Sequence, residues 1–278
     1  MTYRSSHILR QLLVYTLLVI GGLAFILPFW WILASSLKAP GAGMKFPPEF
    51  FPSVLIWSNY PKALSTVPFD VYLRNTLFLG IICVIGAVAS SALVAYGFAR
   101  IDFRGKALLF GLLVATMALP GQVTMIPVFE MFRSLGWYGS YLPLIVPSFM
   151  GAPFFVFLLT QFFKTIPEEM CDAARVDGAS EWQIFTQIIL PLSTPVLATI
   201  TVFTFLYAWN DFTGPLLFLN SPRNFTMALG LQDFQGQKTI VWNQLMAAAT
   251  VFTLPIIIAF FFAQKTFIQG IKLTGSKE

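Results

Sequence analysis

Hydrophobic residues dominate this sequence in six long runs, which short polar stretches separate. Each run reaches the roughly 20 residues that an α-helix needs to cross a bilayer. We therefore predict an all-α membrane protein with six transmembrane helices, and six crossings place both termini on one side. The predicted spans cover about 12–37, 76–99, 107–129, 141–163, 192–219 and 245–263.

A polar stretch, residues 165–191, lies between the fourth and fifth runs. Its sequence predicts two short helices joined by a turn. Residues 165–168 (Thr-Ile-Pro-Glu) have the spacing of a capping box, and residues 180–183 (Ser-Glu-Trp-Gln) repeat it at the start of the second helix. Between them, Gly178 can adopt the left-handed conformation that ends the first helix. The stretch therefore predicts a helix-turn-helix outside the membrane.

The second of these helices has an apolar face. At helical spacing, Trp182, Phe185, Ile188 and Ile189 are predicted to lie on the same side. Two helices with a fixed junction and an apolar face form a projection stiff enough to transmit force. The alternative is a surface loop that contains a helical connector.

Composition and charge support a membrane location. Of the 278 residues, 57% are hydrophobic and 10% are charged, whereas soluble domains contain about 25% charged residues. The first run carries no charge and exceeds a signal-peptide core, so we predict a retained helix. The short basic loop 100–106 places the polar stretch and both termini in the cytoplasm. Since no internal repeat is visible, one domain over 1–278 is the simplest prediction.

Residues that carry catalytic or metal chemistry are scarce. His7 is the only histidine, and Cys83 and Cys171 lack the paired spacing of a metal site or disulfide framework. Gly105-Lys106 lacks both the upstream glycine and the following hydroxyl of a phosphate-binding loop. We predict no catalytic residues and no metal site, so the chain is not expected to be an enzyme. The net charge of +5 suits leaflet anchoring rather than nucleic acid.

The polar stretch resembles the signature of the membrane subunits of ATP-binding-cassette (ABC) importers. That signature runs Glu-Ala-Ala, two residues, Asp-Gly-Ala, five residues, Phe, two residues, Ile, one residue, Leu-Pro. Asp172 is the one departure, since the family usually has Glu there. Segments 95–100, 103–106, 119–127, 209–212, 245–249 and 267–271 further resemble the maltose-type permeases, which import carbohydrates. The residues in register with the signature are Ala173, Ala174, Asp177, Gly178, Ala179, Phe185, Ile188, Leu190 and Pro191.

The resemblance implies a type I ABC importer transmembrane domain in a bacterial inner membrane. It implies a second permease subunit as a hetero-pair, two ATPase subunits, an extracytoplasmic solute-binding protein and a sugar substrate. ATP and Mg would be bound by the ATPases, so we expect no cofactor on this chain. Residues 165–191, called the coupling segment below, would dock on an ATPase. The residues expected to couple to it are Asp172, Ala173, Ala174, Asp177, Gly178, Ala179, Trp182 and Phe185.

Two groups of polar residues inside the spans are candidates for the substrate pathway. Gln122 and Thr124 lie in the third span between two prolines, at a predicted kink whose freed carbonyls must face protein or water. Their alternative role is to join packed helices. Trp209, Asn210 and Asp211 lie about 25–29 Å along the fifth span. Trp209 and Asn210 could bind a sugar, or Trp209 could belong to an aromatic belt while Asp211 caps the interface.

The outer loop before the sixth span contains a candidate contact for the binding protein. Phe234 is predicted to be an exposed aromatic anchor. Gln235 and Gln237 offer donors and acceptors, and Gly236 permits a tight turn. Related importers send this loop toward the sugar pocket of the binding protein. The alternative is a turn that only joins two helices.

The leading hypothesis is therefore the permease subunit of an ATP-driven sugar importer. The alternative is an ion-coupled secondary carrier, which usually needs intramembrane acidic or histidine relays and repeated halves. Beyond Asp211 and Glu130 this chain has few such groups. A membrane-embedded enzyme is a third possibility, but no nucleophile–base pair lies within a span.

Overall fold

The computed structural model describes the backbone of residues 2–42, 47–234 and 241–275, and side chains within 9–42, 47–232, 234 and 241–261. Across these ranges the regular structure is helical and contains no β-strand, as predicted. A π-helical turn, Phe185–Ile189, joins α9 to α10. The helices are α1 (Thr2–Ser36), α2 (Asn59–Thr66), α3 (Phe69–Arg100), α4 (Lys106–Thr116), α5 (Gly121–Ser134), α6 (Leu142–Ile145), α7 (Pro153–Thr165), α8 (Glu168–Val176), α9 (Glu181–Ile184), α10 (Leu190–Leu192), α11 (Thr194–Asn210), α12 (Thr213–Phe218), α13 (Met227–Asp233) and α14 (Trp242–Gly275).

Four of the predicted spans are long apolar helical stretches. Within the described residues they are Leu9–Ser36, Phe69–Arg100, Leu142–Thr165 and Trp242–Phe261. Two bent helix pairs, α4 with α5 and 181–192 with α11, raise the number to six if each pair is one span. The apolar pattern thus located four spans, and it agrees with six if each bent pair is one span; the second pair covers 181–210, whereas the predicted fifth span was 192–219.

The third predicted span, 107–129, is not one continuous helix. It is divided into α4 and α5, whose axes differ by 99°. The sequence predicted a kink between Pro120 and Pro127, but the chain breaks before Pro120, which is extended with ψ 133° and precedes α5. Pro127 lies inside α5. The prolines therefore correctly indicated irregular backbone, but the predicted position of the kink was wrong.

The fifth predicted span, 192–219, is also interrupted. Helix α11 ends at Asn210, and Asp211 has the extended ψ of 110°. The Asp211 carboxylate accepts a hydrogen bond of 2.9 Å from the Gly214 N–H, which lies in the first turn of α12. A side-chain acceptor at this position favours a new helix start over continuation of α11.

The chain divides into two compact units, 1–68 with 231–254 and 69–230 with 255–278. In the first unit, Asn59 joins three segments. Its amide donates to the carbonyls of Ser36 and Lys38 at 2.8 and 2.9 Å. It accepts a 2.8 Å hydrogen bond from Asn243, the second residue of α14. These bonds connect the end of α1, the start of α2 and the start of α14. The prediction of a single domain stays a prediction.

In the second unit, α3, α7 and α11 pack around one apolar core that extends into the coupling segment. Small residues of α3, such as Ala92 and Ala95, let the helices approach closely, as is common between membrane helices. The core then continues through Cys171, Ile184 and Phe185. The coupling segment is therefore packed against the membrane helices and is not a freely moving loop.

Candidate functional site: the coupling segment

The junction between α8 and α9 is fixed by backbone hydrogen bonds. Gly178 has a φ of +86°, so it adopts the left-handed conformation that the sequence predicted. Its N–H donates to the Arg175 carbonyl at 3.0 Å, and the Ala179 N–H donates to the Ala174 carbonyl at 2.9 Å. These two bonds are the pair that defines a Schellman motif. They satisfy carbonyls at the end of α8 and set the direction of the chain into α9.

One of the two predicted capping boxes is present. At the start of α9, the Gln183 N–H donates to the Ser180 hydroxyl at 3.3 Å, and the Ser180 N–H donates to the Gln183 side chain at 2.8 Å. The box predicted at 165–168 is wrong. Thr165 is the last residue of α7, and its hydroxyl donates to the Phe162 carbonyl at 2.7 Å. Helix α7 extends beyond the predicted end of the fourth span, so the Thr165 hydroxyl bonds within α7 and does not cap α8.

The predicted apolar face of the second helix is divided between two environments. Phe185 is 4% exposed, and its ring centroid lies 5.1 Å from that of Tyr96 on α3. Ile184 and Ile189 are also buried, whereas Trp182 is 62% exposed. Phe185, which was expected to couple to the ATPase, therefore lies in this chain's own core, and its role in coupling stays a prediction. Trp182 remains available to a partner.

The opposite side of the coupling segment is exposed. Val176 is 88% exposed, although it is apolar and lies in a polar segment. Helical spacing puts it on one stripe of α8 with other exposed residues. Trp182 of α9 adds a large apolar group. We call this set the docking face; its members are Met170, Ala173, Val176, Asp177 and Trp182.

An ion-pair chain connects the two helices. The Arg175 guanidinium donates to Asp172 on α8 at 2.7 Å and to Glu181 on α9 at 2.7 Å. Arg175, together with the hydroxyl of Tyr96, holds the pKa of the Glu181 carboxyl below its usual value. The Asp172 carboxylate, a predicted docking group, is therefore already paired inside this chain. Among the described residues no such partner is found for Asp177.

The sequence interpretation missed the contacts that anchor the coupling segment to α3. The Tyr96 hydroxyl donates to Glu181 at 2.5 Å. Arg100 donates to two main-chain carbonyls and lies 3.5 Å from Glu168. The spacing of Asp172 and Arg175 on one helix could have revealed their pairing. No local signal marks Tyr96 or Arg100, because their partners lie more than 60 positions away.

The predicted pathway residues of the third span lie in the first turn of α5. Gln122 is exposed and Thr124 is half-buried. The Thr124 hydroxyl donates to the Gly121 carbonyl at 3.1 Å. This bond lies within the first turn of α5, next to the break. Their role in a pathway stays a prediction.

The pathway residues of the fifth span occupy different environments. Trp209 is fully buried, and its ring lies 5.5 Å from that of Phe205, so its face is not offered to a sugar in this conformation. Asn210 is exposed and bonds the Leu206 carbonyl at 2.8 Å. Asp211 lines a largely apolar cavity of about 1000 Å³ between α3, α5, α11 and α12. The other predicted pathway residues do not line this cavity.

The predicted outer-loop contact is only partly described. Phe234 is 3% exposed, so the expectation of an exposed aromatic anchor is wrong. A large aromatic side chain that is removed from solvent contributes to packing and leaves little area for a partner. Gln235, Gly236 and Gln237 lie outside the described residues.

Comparison with known proteins agrees with the signature in the coupling segment. Residues 84–273 match the family described as "Binding-protein-dependent transport system inner membrane component". The chain is 35% identical over 203 residues to a putative ABC transporter permease of a Caldicellulosiruptor species, covering 73% of this chain and 74% of that protein. It is 30% identical over 271 residues to a trehalose/maltose transport system permease of Thermococcus litoralis, covering 96% of each.

A solved structure has the same fold. It belongs to a bacterial ABC transporter involved in the import of the acidic polysaccharide alginate, with a TM-score of 0.82 and 23% identity. The similarity covers 96% of this chain and 99% of that chain. The architecture is that of a type I ABC importer membrane subunit, as predicted. Because the family match includes the whole coupling segment and most of the spans, we conclude that the chain belongs to the inner-membrane components of binding-protein-dependent transport systems, the permease subunits of ABC importers.

Proposed function

We propose that this permease forms the translocation pathway of an ATP-driven importer of sugars or sugar-like solutes together with a second permease subunit. Two separate ATPase subunits bind ATP and Mg, and an extracytoplasmic binding protein delivers the solute. This chain itself is non-catalytic. The observation that carries the proposal is the coupling segment, a rigid helix pair with an exposed apolar face on a chain of apolar helices.

Two relationships support the substrate class. One relative is named for trehalose and maltose transport, and the solved structure belongs to a transporter of a polysaccharide. The cavity beside Asp211 is lined mainly by apolar side chains and offers few hydrogen-bonding groups to a sugar. We therefore place sugar recognition at the surface shared with the second permease, where Gln122 and Asn210, which are both exposed, are the candidate contacts.

The docking face has the composition of a protein interface centre. Trp is enriched among residues that dominate binding energy, and an exposed apolar neighbour such as Val176 removes further area from water on docking. Asp177 can accept a charge-assisted hydrogen bond from an arginine of the ATPase. Phe185 and Asp172 lie outside this face. Phe185 packs on Tyr96 and Asp172 pairs with Arg175, so both stabilise the coupling segment that carries the docking face.

The mechanism follows from this arrangement. ATP binds the closed ATPase pair more tightly than the open pair, so ATP shifts the population toward closure. Each coupling segment moves with its ATPase, and the packed membrane helices move as rigid bodies between inward- and outward-facing states. The basic loop 100–106 supports an orientation in which the docking face and both termini are cytoplasmic.

The test is a charge placed on the docking face. Val176→Asp should lower retention of the cognate ATPase on the affinity-tagged membrane complex about tenfold, the effect of losing about 1.4 kcal/mol of binding free energy. Val54→Asp is the matched control, since Val54 is also an exposed valine, 66% accessible, in the first outer loop. It should leave ATPase retention unchanged.

Two results would count against the proposal. One is full ATPase retention by Val176→Asp. The other is solute uptake by the intact complex that persists without ATP hydrolysis and responds instead to an ion gradient. That second result would favour the secondary carrier.

A further inference from the structure

The end of α3 carries a buried arginine that faces the start of the coupling segment. The Arg100 side chain is 3% exposed. One guanidinium nitrogen donates to the carbonyls of Phe163 and Ile166 at 2.6 and 2.5 Å. A second guanidinium nitrogen lies 3.5 Å from the Glu168 carboxylate, and the third, Nε, is buried without a hydrogen-bond partner among the described residues. The side chain thus contacts the end of α7, the connecting turn and the first residue of α8.

Burial of a guanidinium is unfavourable unless its donors are satisfied. The planar fork of arginine can donate to several acceptors at once, whereas lysine acts as a compact point charge. Helix C-termini leave carbonyls without intrahelical partners, so the end of α7 supplies suitable acceptors. The position of Arg100 therefore fixes the turn between α7 and α8 relative to α3.

A second polar contact lies one helical turn earlier on the same face of α3. The Tyr96 hydroxyl donates to Glu181 at the start of α9, and its ring packs on Phe185. Glu181 in turn pairs with Arg175 on α8. The two contacts of α3 thus hold the first residue of each helix in the coupling segment.

Apolar packing fills the space between these two polar contacts. Ala92 and Ala95 of α3 belong to the same buried cluster as Cys171 and Ile184 of the coupling segment. Helix α3 has 32 residues and is about 48 Å long, and it extends about 35 Å from Ala92 in this cluster to its other end. A displacement of the docking face would therefore be carried by α3 across the whole membrane.

We propose that Arg100 and Tyr96 are positioning residues that fasten the coupling segment to α3, so that segment and helix move as one rigid body during transport. The inference rests on the proposed function. It adds that α3 is the helix that transmits ATPase closure to the outer side. It also identifies Arg100 and Tyr96 as the two side chains that keep the coupling segment fixed to α3 during this movement.

The experiment measures one distance inside the chain. Spin labels at Asp70, near the far end of α3, and at Gln187, an exposed residue of the coupling segment outside the docking face, are introduced with both buried native cysteines replaced by alanine. Among the described contacts, the Asp70 side chain has an exposed ion pair with Arg74, so a label at this position should disturb the fold little. In the full importer complex, the Asp70–Gln187 distance distribution should be narrow. It should stay the same when Mg-ATP and orthovanadate are added.

Two variants weaken the fastening to different degrees. Tyr96→Phe removes one hydroxyl and keeps the aromatic ring, and Arg100→Met removes the guanidinium but keeps an apolar stem. Both should broaden the distance distribution, and Arg100→Lys should restore it partly because the charge near Glu168 remains. Arg104→Met is the control, since Arg104 is exposed in the adjacent loop, and it should match the wild type.

A second readout reports transmission. A bimane fluorophore at Asp70 should change its emission on addition of Mg-ATP and orthovanadate in the wild type. In Tyr96→Phe and Arg100→Met this change should be about fivefold smaller, the lower range of allosteric coupling. Basal ATP hydrolysis by the docked ATPases should be retained.

Specific outcomes would overturn the inference. Wild-type distance widths and bimane responses in both variants would show that the two contacts do not fasten the segment. An Asp70–Gln187 distance that changes with nucleotide in the wild type would show that α3 and the segment move separately. If the proposed function is wrong, the wild-type complex should fail to retain the ATPase. The widths of the distance distribution measured without nucleotide would still test the fastening.

Discussion

Gly178→Ala isolates the backbone conformation at the junction of the coupling segment. Gly178 has a φ of +86°, and a Cβ atom added there would meet no other atom within 4 Å. The substitution therefore introduces no steric contact with neighbouring side chains. Its effect comes from the left-handed conformation alone, which costs an L-residue about 1–2 kcal/mol.

This strain favours local opening of the helix pair. A loss of about 1–2 kcal/mol raises the population of an open state roughly 5- to 30-fold. Cys171 reports that opening, because it lies on α8 and is fully buried. When reclosing is faster than labelling, the labelling rate follows the open population. The variant should thus label Cys171 roughly 5 to 30 times faster.

The assay uses a maleimide dye on the purified complex, with Cys83 replaced by alanine. Gly97→Ala is the matched control, since Gly97 lies within α3 and also has no atom within 4 Å of an added Cβ. Alanine is favoured over glycine inside a helix by about 0.5–1 kcal/mol. The control should therefore not accelerate labelling of Cys171.

Proline at position 178 should have a larger effect. It fixes φ near −65° and removes the N–H that donates to the Arg175 carbonyl. Gly178→Pro should therefore abolish transport while membrane insertion remains. Equal Cys171 labelling rates in Gly178→Ala and Gly97→Ala would refute the reasoning, because they would show that the left-handed junction does not stabilise the segment.

The remaining predictions concern packing and pH. Phe185→Ala should destabilise the chain by about 3–5 kcal/mol in thermal unfolding, since the ring is buried against Tyr96, whereas Trp182→Ala should stay within about 0.5 kcal/mol. Equal losses would contradict the division of the apolar face. The lowered pKa of Glu181 means that its bonds stabilise the fold above the ordinary value of 4.5 and lose this contribution as pH falls further. The Tm advantage of the wild type over Glu181→Gln should hence shrink below that pH, and an advantage that persists in strong acid would contradict the pairing.

The sequence by itself determined the features that depend on neighbouring residues. Apolar runs of sufficient length located the membrane spans, since a bilayer demands satisfied backbone and apolar side chains. Gly178 and the Ser180–Gln183 box were predictable because their hydrogen bonds join residues three to five positions apart. The signature of the family lies in the same segment, so the type of protein followed from local sequence as well.

Only the tertiary structure decided which of these residues face the chain's own core. Phe185 and Trp182 have the same spacing signal, but Tyr96 buries the first and leaves the second exposed. The role of Arg100 also depends on distant partners. Periodicity reports that a face is apolar, whereas packing between segments more than 60 residues apart determines what covers it. That packing fastens the coupling segment to α3.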